Sequence, residues 1–372
     1  MYRKDGWYYL LAAEGKIFLC QREIVSRQLT DRTGGTGLGH MVTIARSKHI
    51  DGPYESNPAN PILTNANTTE YFQTVGHADL FQDASGNWWS VALATRSGPE
   101  WIHFPMVRET VLTAATWEEG EWPYLTTIAG KMNGWKMPSY NLEVEGPGPW
   151  VSLGEVQGDD IKFAPNSTIP AHLTHWRYPI ENSYAISPPG HPNTLRLAPS
   201  KLNLTALNGN YAGPEGQTFV GRRQQDTLFT YSVDIDFTPT VAEEEAGVSV
   251  FLTQNHHFDL GVVLLPAKTS TQAFPGRNLT VIEDPDGLKL HFRFRGESYV
   301  PVPANIVAPV PEEWVGKPLH LEIKGLNVTH YSFSAGPTGA ASRIQTLVYV
   351  SNDALSWGFT GECALSLEPS VS

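Results

Sequence analysis

The chain has 372 residues, 41% of them apolar, and its 26 Lys and Arg against 38 Asp and Glu give a formal net charge of −12. That balance excludes a nucleic-acid binder, which needs a basic footprint for the phosphates. The length suits two domains with sizeable cores, and no run of 18 apolar residues marks a membrane-spanning helix.

Taken in chain order, the sequence predicts short strands bounded by Gly, Pro, Asn and Asp, with almost no helical period. Trp7–Ala13 and Met41–Arg46 read as strands. Between them, Lys16 to Gly34 lacks alternation and has no turn residue until its end. Ala78–Gln82 and Trp88–Thr95 flank Asp83-Ala-Ser-Gly-Asn87, a hairpin turn in which Gly supplies the positive φ. Val107–Thr113 follows. These segments have the rhythm of propeller blades. From about residue 128 to 160 the pattern is lost, and Glu145-Gly-Pro-Gly-Pro149 is a breaker cluster.

Beyond it the strands lengthen. Tyr231–Phe237 sets Tyr, Val, Ile and Phe on one face and Ser and Asp on the other. Gly247–Thr253, Leu260–Leu265, Thr280–Glu283, Leu288–Arg295, Leu319–Leu326 and Leu347–Val350 continue the series, with a turn at Asp284-Pro-Asp-Gly287. This predicts a two-sheet antiparallel sandwich. Two cysteines, Cys20 and Cys363, make neither a disulfide framework nor a metal-ligand spacing. The N-terminal residues lack the charged, apolar and small succession of a secretory leader, yet N-x-S/T sequons stand at Asn67, Asn166, Asn203, Asn278 and Asn327 and point to an extracellular protein.

Several segments resemble glycoside hydrolase family 43, of the type with a C-terminal concanavalin A-like sandwich. Tyr2 to Gly15 is similar to the strand after that family's E-G-P-H motif, and Gly76-His-Ala-Asp-Leu80 to its G-H-A-D-L. Gly86-Asn-Trp-Trp89 and Arg108-Glu-Thr110 with Thr116-Trp117 follow in the family's order. Phe219-Val-Gly-Arg-Arg-Gln-Gln225 and Glu245-Ala-Gly-Val248 resemble the appended domain. The resemblance implies an all-β protein. A partial five-bladed β-propeller (the C-terminal blades, residues 1–127) leads through a linker at 128–160 to a concanavalin A-like antiparallel β-sandwich at 161–372. Deleting 16–34 restores the family's A-E-G-G-T-G-x-G-H, so those residues are expected to be an unspliced intron; 362–372 leave the family pattern.

The resemblance further implies an inverting β-D-xylosidase or α-L-arabinofuranosidase acting on xylan or arabinoxylan oligosaccharides, with no nucleic-acid or membrane partner. Such an enzyme keeps one carboxylic acid protonated for the leaving oxygen and one carboxylate ionised to activate water on the opposite face. In the family a base Asp and a pKa-setting Asp lie well before the strand at Trp7, and the acid Glu just before it. All three are therefore expected upstream of Met1, and none in this chain, which as written is expected to be inactive. Glu14 matches a non-catalytic position, and Asp79 and Glu109 are expected to hold loops. By resemblance Arg108 reaches the sugar, although Val107 stands where relatives often have Gly. His77 lines the pocket floor or contacts a structural calcium, with a buried, hydrogen-bonded core histidine as the other reading, and Phe258, in His256-His257-Phe258, belongs to a loop closing the pocket, or to a plain polar loop. No cofactor is required. Trp88, Trp89, Trp101 and Phe104 are candidate sugar-stacking rings, with the core as the commoner place for such residues. A second reading is a non-catalytic carbohydrate-binding remnant or the product of a faulty gene prediction.

Overall fold

The computed structural model describes residues 1–15, 39–97, 102–131, 160–206, 217–274, 277–282, 287–356, 363–364 and 368–371. The insert at 16–34, Trp101, the breaker cluster and most of the 128–160 linker lie outside them. The chain divides into two units, Met1–Gly146 with Ser356–Gly361, and Pro147–Leu355 with Glu362–Ser372.

In the first unit, β1 (Tyr2–Lys4), β2 (Trp7–Gly15), β3 (His40–Ser47) and β4 (Glu55–Ser56) form one antiparallel sheet in sequence order. A second sheet takes β5 (Phe72–Gln82), β6 (Trp88–Arg96), β7 (Glu109–Thr116) and β8 (Tyr124–Leu125), again in order. Each meander has the build of a propeller blade. Period-two alternation explains β3, where Val42 and Ile44 are buried and Met41 and Thr43 are not. These two residues join Tyr9, Val75, Ala94, Trp117 and Ile128 in a single core. Tyr9 meets Trp117 edge to face at 4.7 Å, a geometry suited to the ring quadrupoles.

The predicted turn at 83–87 is present. Gly86 has φ +86°, and the Asp83 amide donates to the Asn87 carbonyl at 2.9 Å. The Asp83 carboxylate accepts from the amides of Ser85 and Asn87, the Asn87 side chain and the Trp89 indole. One side chain thus fixes both the turn and the aromatic that follows it.

The second unit begins with β9 (Leu173–Thr174), β10 (Tyr184–Ile186), β11 (Leu195–Leu197) and β12 (Gly221–Arg223). Longer strands follow: β13 (Phe229–Ile235), β14 (Glu244–Thr253), β15 (His256–Pro266), β16 (Thr269–Phe274), β17 (Arg277–Ile282), β18 (Leu288–Glu297) and β19 (Ile306–Pro309). The chain closes with β20 (Leu319–Gly325), β21 (His330–Pro337), β22 (Gln345–Ser351), β23 (Cys363–Ala364) and β24 (Glu368–Val371). One sheet runs β19-β18-β15-β14-β23-β12-β9 with β24 also on β14, and the facing sheet runs β13-β20-β21-β22. Val248, Phe258, Leu260 and Phe294 of the first pack with Leu321, Ile323, Tyr331 and Phe333 of the second. This is the expected sandwich. β24 places part of the off-pattern tail in the larger sheet.

The face of β14, β15 and β18 turned from that core carries buried charge. Arg293 donates to Glu245 and Glu243, Arg295 donates to Glu245, and His257 Nδ1 lies 2.9 Å from Asp259. Gly261 makes room, since a Cβ there would sit 2.4 Å from Glu245 Oε1.

Candidate active site

The first unit brings His40, His77 and Arg108 together from three strands or their ends. His40 opens β3, His77 lies within β5, and Arg108 directly precedes β7. Their proximity is electrostatic as well as topological, because the charges of Arg108 and His77 both act on His40. His77 is exposed, Arg108 is half-buried and His40 is 6% exposed beneath them.

Backbone strain converges on the same place. Thr74, His77 and Val107 have φ of 52°, 54° and 52°, a left-handed region unfavourable to L-residues and above all to β-branched ones. β5 departs from regular pairing between Gln73 and Gly76 and again between Gly76 and Asp79. Such irregularities re-aim side chains. Here they turn His77 outward and place the Thr74 carbonyl 2.9 Å from His40 Nδ1. A carbonyl only accepts, so Nδ1 carries the proton and Nε2 of the neutral ring is an acceptor. Burial holds the His40 pKa below the ordinary histidine value, and Arg108 and His77 lower it further against the Thr74 hydrogen bond. At neutral pH His40 is therefore an uncharged acceptor.

Gly76 explains the glycine of its motif. A Cβ there would lie 2.6 Å from three atoms of the His40 ring. Residue 76 must lack a side chain for the imidazole to lie flat on the backbone. Burial also pulls Arg108 below its usual value, though a guanidinium remains charged. A charged planar fork beside two imidazoles and a polar rim can bind vicinal hydroxyls or a carboxylate.

The carboxylates weighed from sequence are occupied structurally. Glu109 takes a two-pronged bond from Arg96, at 2.6 and 2.5 Å. Asp79 accepts from the Tyr2 hydroxyl, whose pKa is pushed up to about 12 by burial and by that bond. Glu14 accepts from Thr43 at 2.7 Å. Trp89 and Phe104 are buried, and half-buried Trp88 packs on the core against Trp117. These three rings are framework.

Phe258 corrects an expectation. His256–Phe258 begin β15 rather than forming a loop, and Phe258 is 0% exposed within the sandwich core, beside Phe294 and Phe333. A ring so placed closes no sugar pocket. The strand predicted from Leu260 extends back through Asp259 and Phe258 to the histidine pair. His40, by contrast, went unsingled in the sequence, although Gly39-His40 closes the glycine-rich run; the signal was a His at a β-strand start facing a motif glycine.

A calcium at His77 does not suit the described residues. Calcium takes oxygen ligands, whereas the groups gathered here are two imidazoles and a guanidinium. No group of three or more His, Cys, Asp or Glu suited to a metal occurs among the described residues.

Comparison with known proteins places both units. Residues 1–123 match Glycosyl hydrolases family 43, and residues 161–363 match the Beta xylosidase C-terminal Concanavalin A-like domain. The chain is 31% identical over 261 residues to a non-reducing end alpha-L-arabinofuranosidase, BoGH43B, of Bacteroides ovatus, covering 70% of this chain and 42% of that protein. It is 31% identical over 265 residues to a xylosidase/arabinosidase of Butyrivibrio fibrisolvens, covering 71% and 44%. The solved structure of GH43B from the Bacteroides ovatus xyloglucan PUL superposes with a TM-score of 0.69 at 24% identity, over 99% of this chain and 61% of that one. The chain thus spans less than half the length of these curated relatives.

Proposed function

The chain belongs to glycosyl hydrolases family 43, and from that premise we propose that its first unit supplies the sugar-binding side of a pentosidase pocket. Arg108 is the residue that grips the sugar, with His77 at the rim and His40 as the buried acceptor that orients them. The observation that carries this reading is the convergence of three strained residues on one charged fork and two imidazoles. Strain of about 1–3 kcal/mol per residue persists where a site needs it.

The reaction is inverting hydrolysis of terminal β-D-xylosyl or α-L-arabinofuranosyl linkages in xylan or arabinoxylan oligosaccharides. The acid–base carboxylates come from the part of the family fold that precedes the strand at Trp7. The exposed sequons at Asn67, Asn166 and Asn327 support an extracellular location.

The test joins this chain to the preceding family segment ending in E-G-P-H and assays nitrophenyl β-D-xyloside and α-L-arabinofuranoside. Turnover is expected from the joined protein and not from the chain alone. Arg108→Ala in the joined protein is expected to lower kcat/KM at least a hundredfold, about 2.7 kcal/mol of transition-state binding. Hydrolysis by the 372-residue chain, or an Arg108→Ala enzyme of unchanged kcat/KM, would refute the assignment.

A further inference from the structure

The geometry points to a second carbohydrate-binding site, built wholly within the sandwich unit by residues 169–184. An open cleft of about 410 Å³ lies there, lined by Ile169, His175, Tyr178, Ile180, Glu181 and Asn182 among others. Its volume falls within the roughly 300–1,000 Å³ of small-molecule sites.

Tyr178 is 91% exposed. A tyrosine left so open on a tightly tethered loop is unusual, and this loop is tethered at both ends. Before it, the Arg177 guanidinium donates to Gln254 Oε1 and lies over the Trp176 ring. After it, the Tyr184 hydroxyl donates to the Phe219 carbonyl and accepts from the Phe219 amide, each at 3.0 Å. His175 Nδ1 lies 3.1 Å from the same carbonyl, and its ring meets Tyr184 edge to face at 4.7 Å. Within the loop, the Ser183 amide donates to Ile180. Arg177 and Asn182 bracket it with φ of 64° and 70°. The backbone is held in a conformation that side chains resist, and its result is to present the Tyr178 ring to solvent.

Around that ring, Glu181 and Asn182 are exposed. With Nδ1 donating to the Phe219 carbonyl, Nε2 is the remaining polar atom of the His175 ring. An open aromatic face flanked by a carboxylate, an amide and an imidazole suits a neutral polyol. The ring stacks on the C–H face of a sugar, and the polar groups take its hydroxyls. The one charge among the cleft residues is negative, which disfavours phosphates and acidic peptides. The ligand class, a neutral hemicellulose oligosaccharide, rests on the family reading above; the site itself rests on the loop.

The experiment uses the full chain carrying Arg108→Ala, which disables the first unit's fork, and titrates it with xylohexaose by calorimetry. Binding is expected to persist in this background. Adding Tyr178→Ala is expected to weaken Kd at least tenfold, and Glu181→Gln severalfold, with unchanged melting temperature because both side chains are exposed. Binding that Tyr178→Ala leaves intact overturns the proposal, as does no binding of xylohexaose in the Arg108→Ala background. So does a Tyr178-dependent dimer in sedimentation, which would make the ring a contact between copies. None of these outcomes bears on Arg108-dependent turnover by the joined enzyme, so the two readings fail separately.

Discussion

At Gly76 a single hydrogen decides the geometry of the pocket. Any side chain there must displace the His40 ring, and with it the bond to Thr74. Gly76→Ala is expected to cost about 1–3 kcal/mol through overpacking. The loss is read as a lower denaturant midpoint, and in the joined enzyme as a raised KM. His256 offers a residue-level test in pH. Burial, aided by the charge of His257, pulls its pKa down to about 4. In the unfolded chain histidine titrates near 6.5. The unfolded state therefore binds the proton first, and stability present above pH 6.5 is lost as pH falls towards 4. Melting temperatures measured across that window should drop less steeply for His256→Gln than for the parent chain; parallel profiles would exclude His256 as the source.

Among the elements, β18 carries two arginines that share one carboxylate. Glu245 on β14 receives both Arg293 and Arg295, and its carboxylate is buried. Removing it leaves Arg293 with Glu243 alone and takes from Arg295 the carboxylate it donates to. Breaking such a pair costs about 3–5 kcal/mol, so Glu245→Ala is expected to unfold the second unit at distinctly lower urea. How much of this was legible follows the same elements. β13 is readable because polar and apolar residues alternate across one solvated face. β21 was missed because it is buried on both faces, and Ser332, Ser334 and Gly336 disguise a central strand as a turn-rich stretch. β7 was expected to start at Val107, but that residue's positive φ delays the strand to Glu109. Arg108 and His77 were nameable from motifs; that strained backbone aims them was not, since φ is set by neighbours distant in sequence.

For the whole molecule, two separate cores matter most. The first unit's core is centred on Tyr9, Val75 and Trp117, and the sandwich core on Phe258, Leu321 and Phe333. Units with their own cores unfold as their own cooperative blocks. Calorimetry is expected to show two transitions, with Glu245→Ala lowering one and Gly76→Ala the other; a single transition shifted by both would contradict it. Val107 carries a different consequence. It is buried, so a smaller residue forfeits packing, yet its left-handed backbone suits glycine best. Val107→Gly loses the side chain but sheds the strain, while Val107→Ala loses the side chain and keeps it. The ordinary ranking, in which alanine is the milder replacement, should invert at this position. A change from valine to glycine would then cost less there than one from valine to alanine, which makes alanine a poor stepping stone between the two.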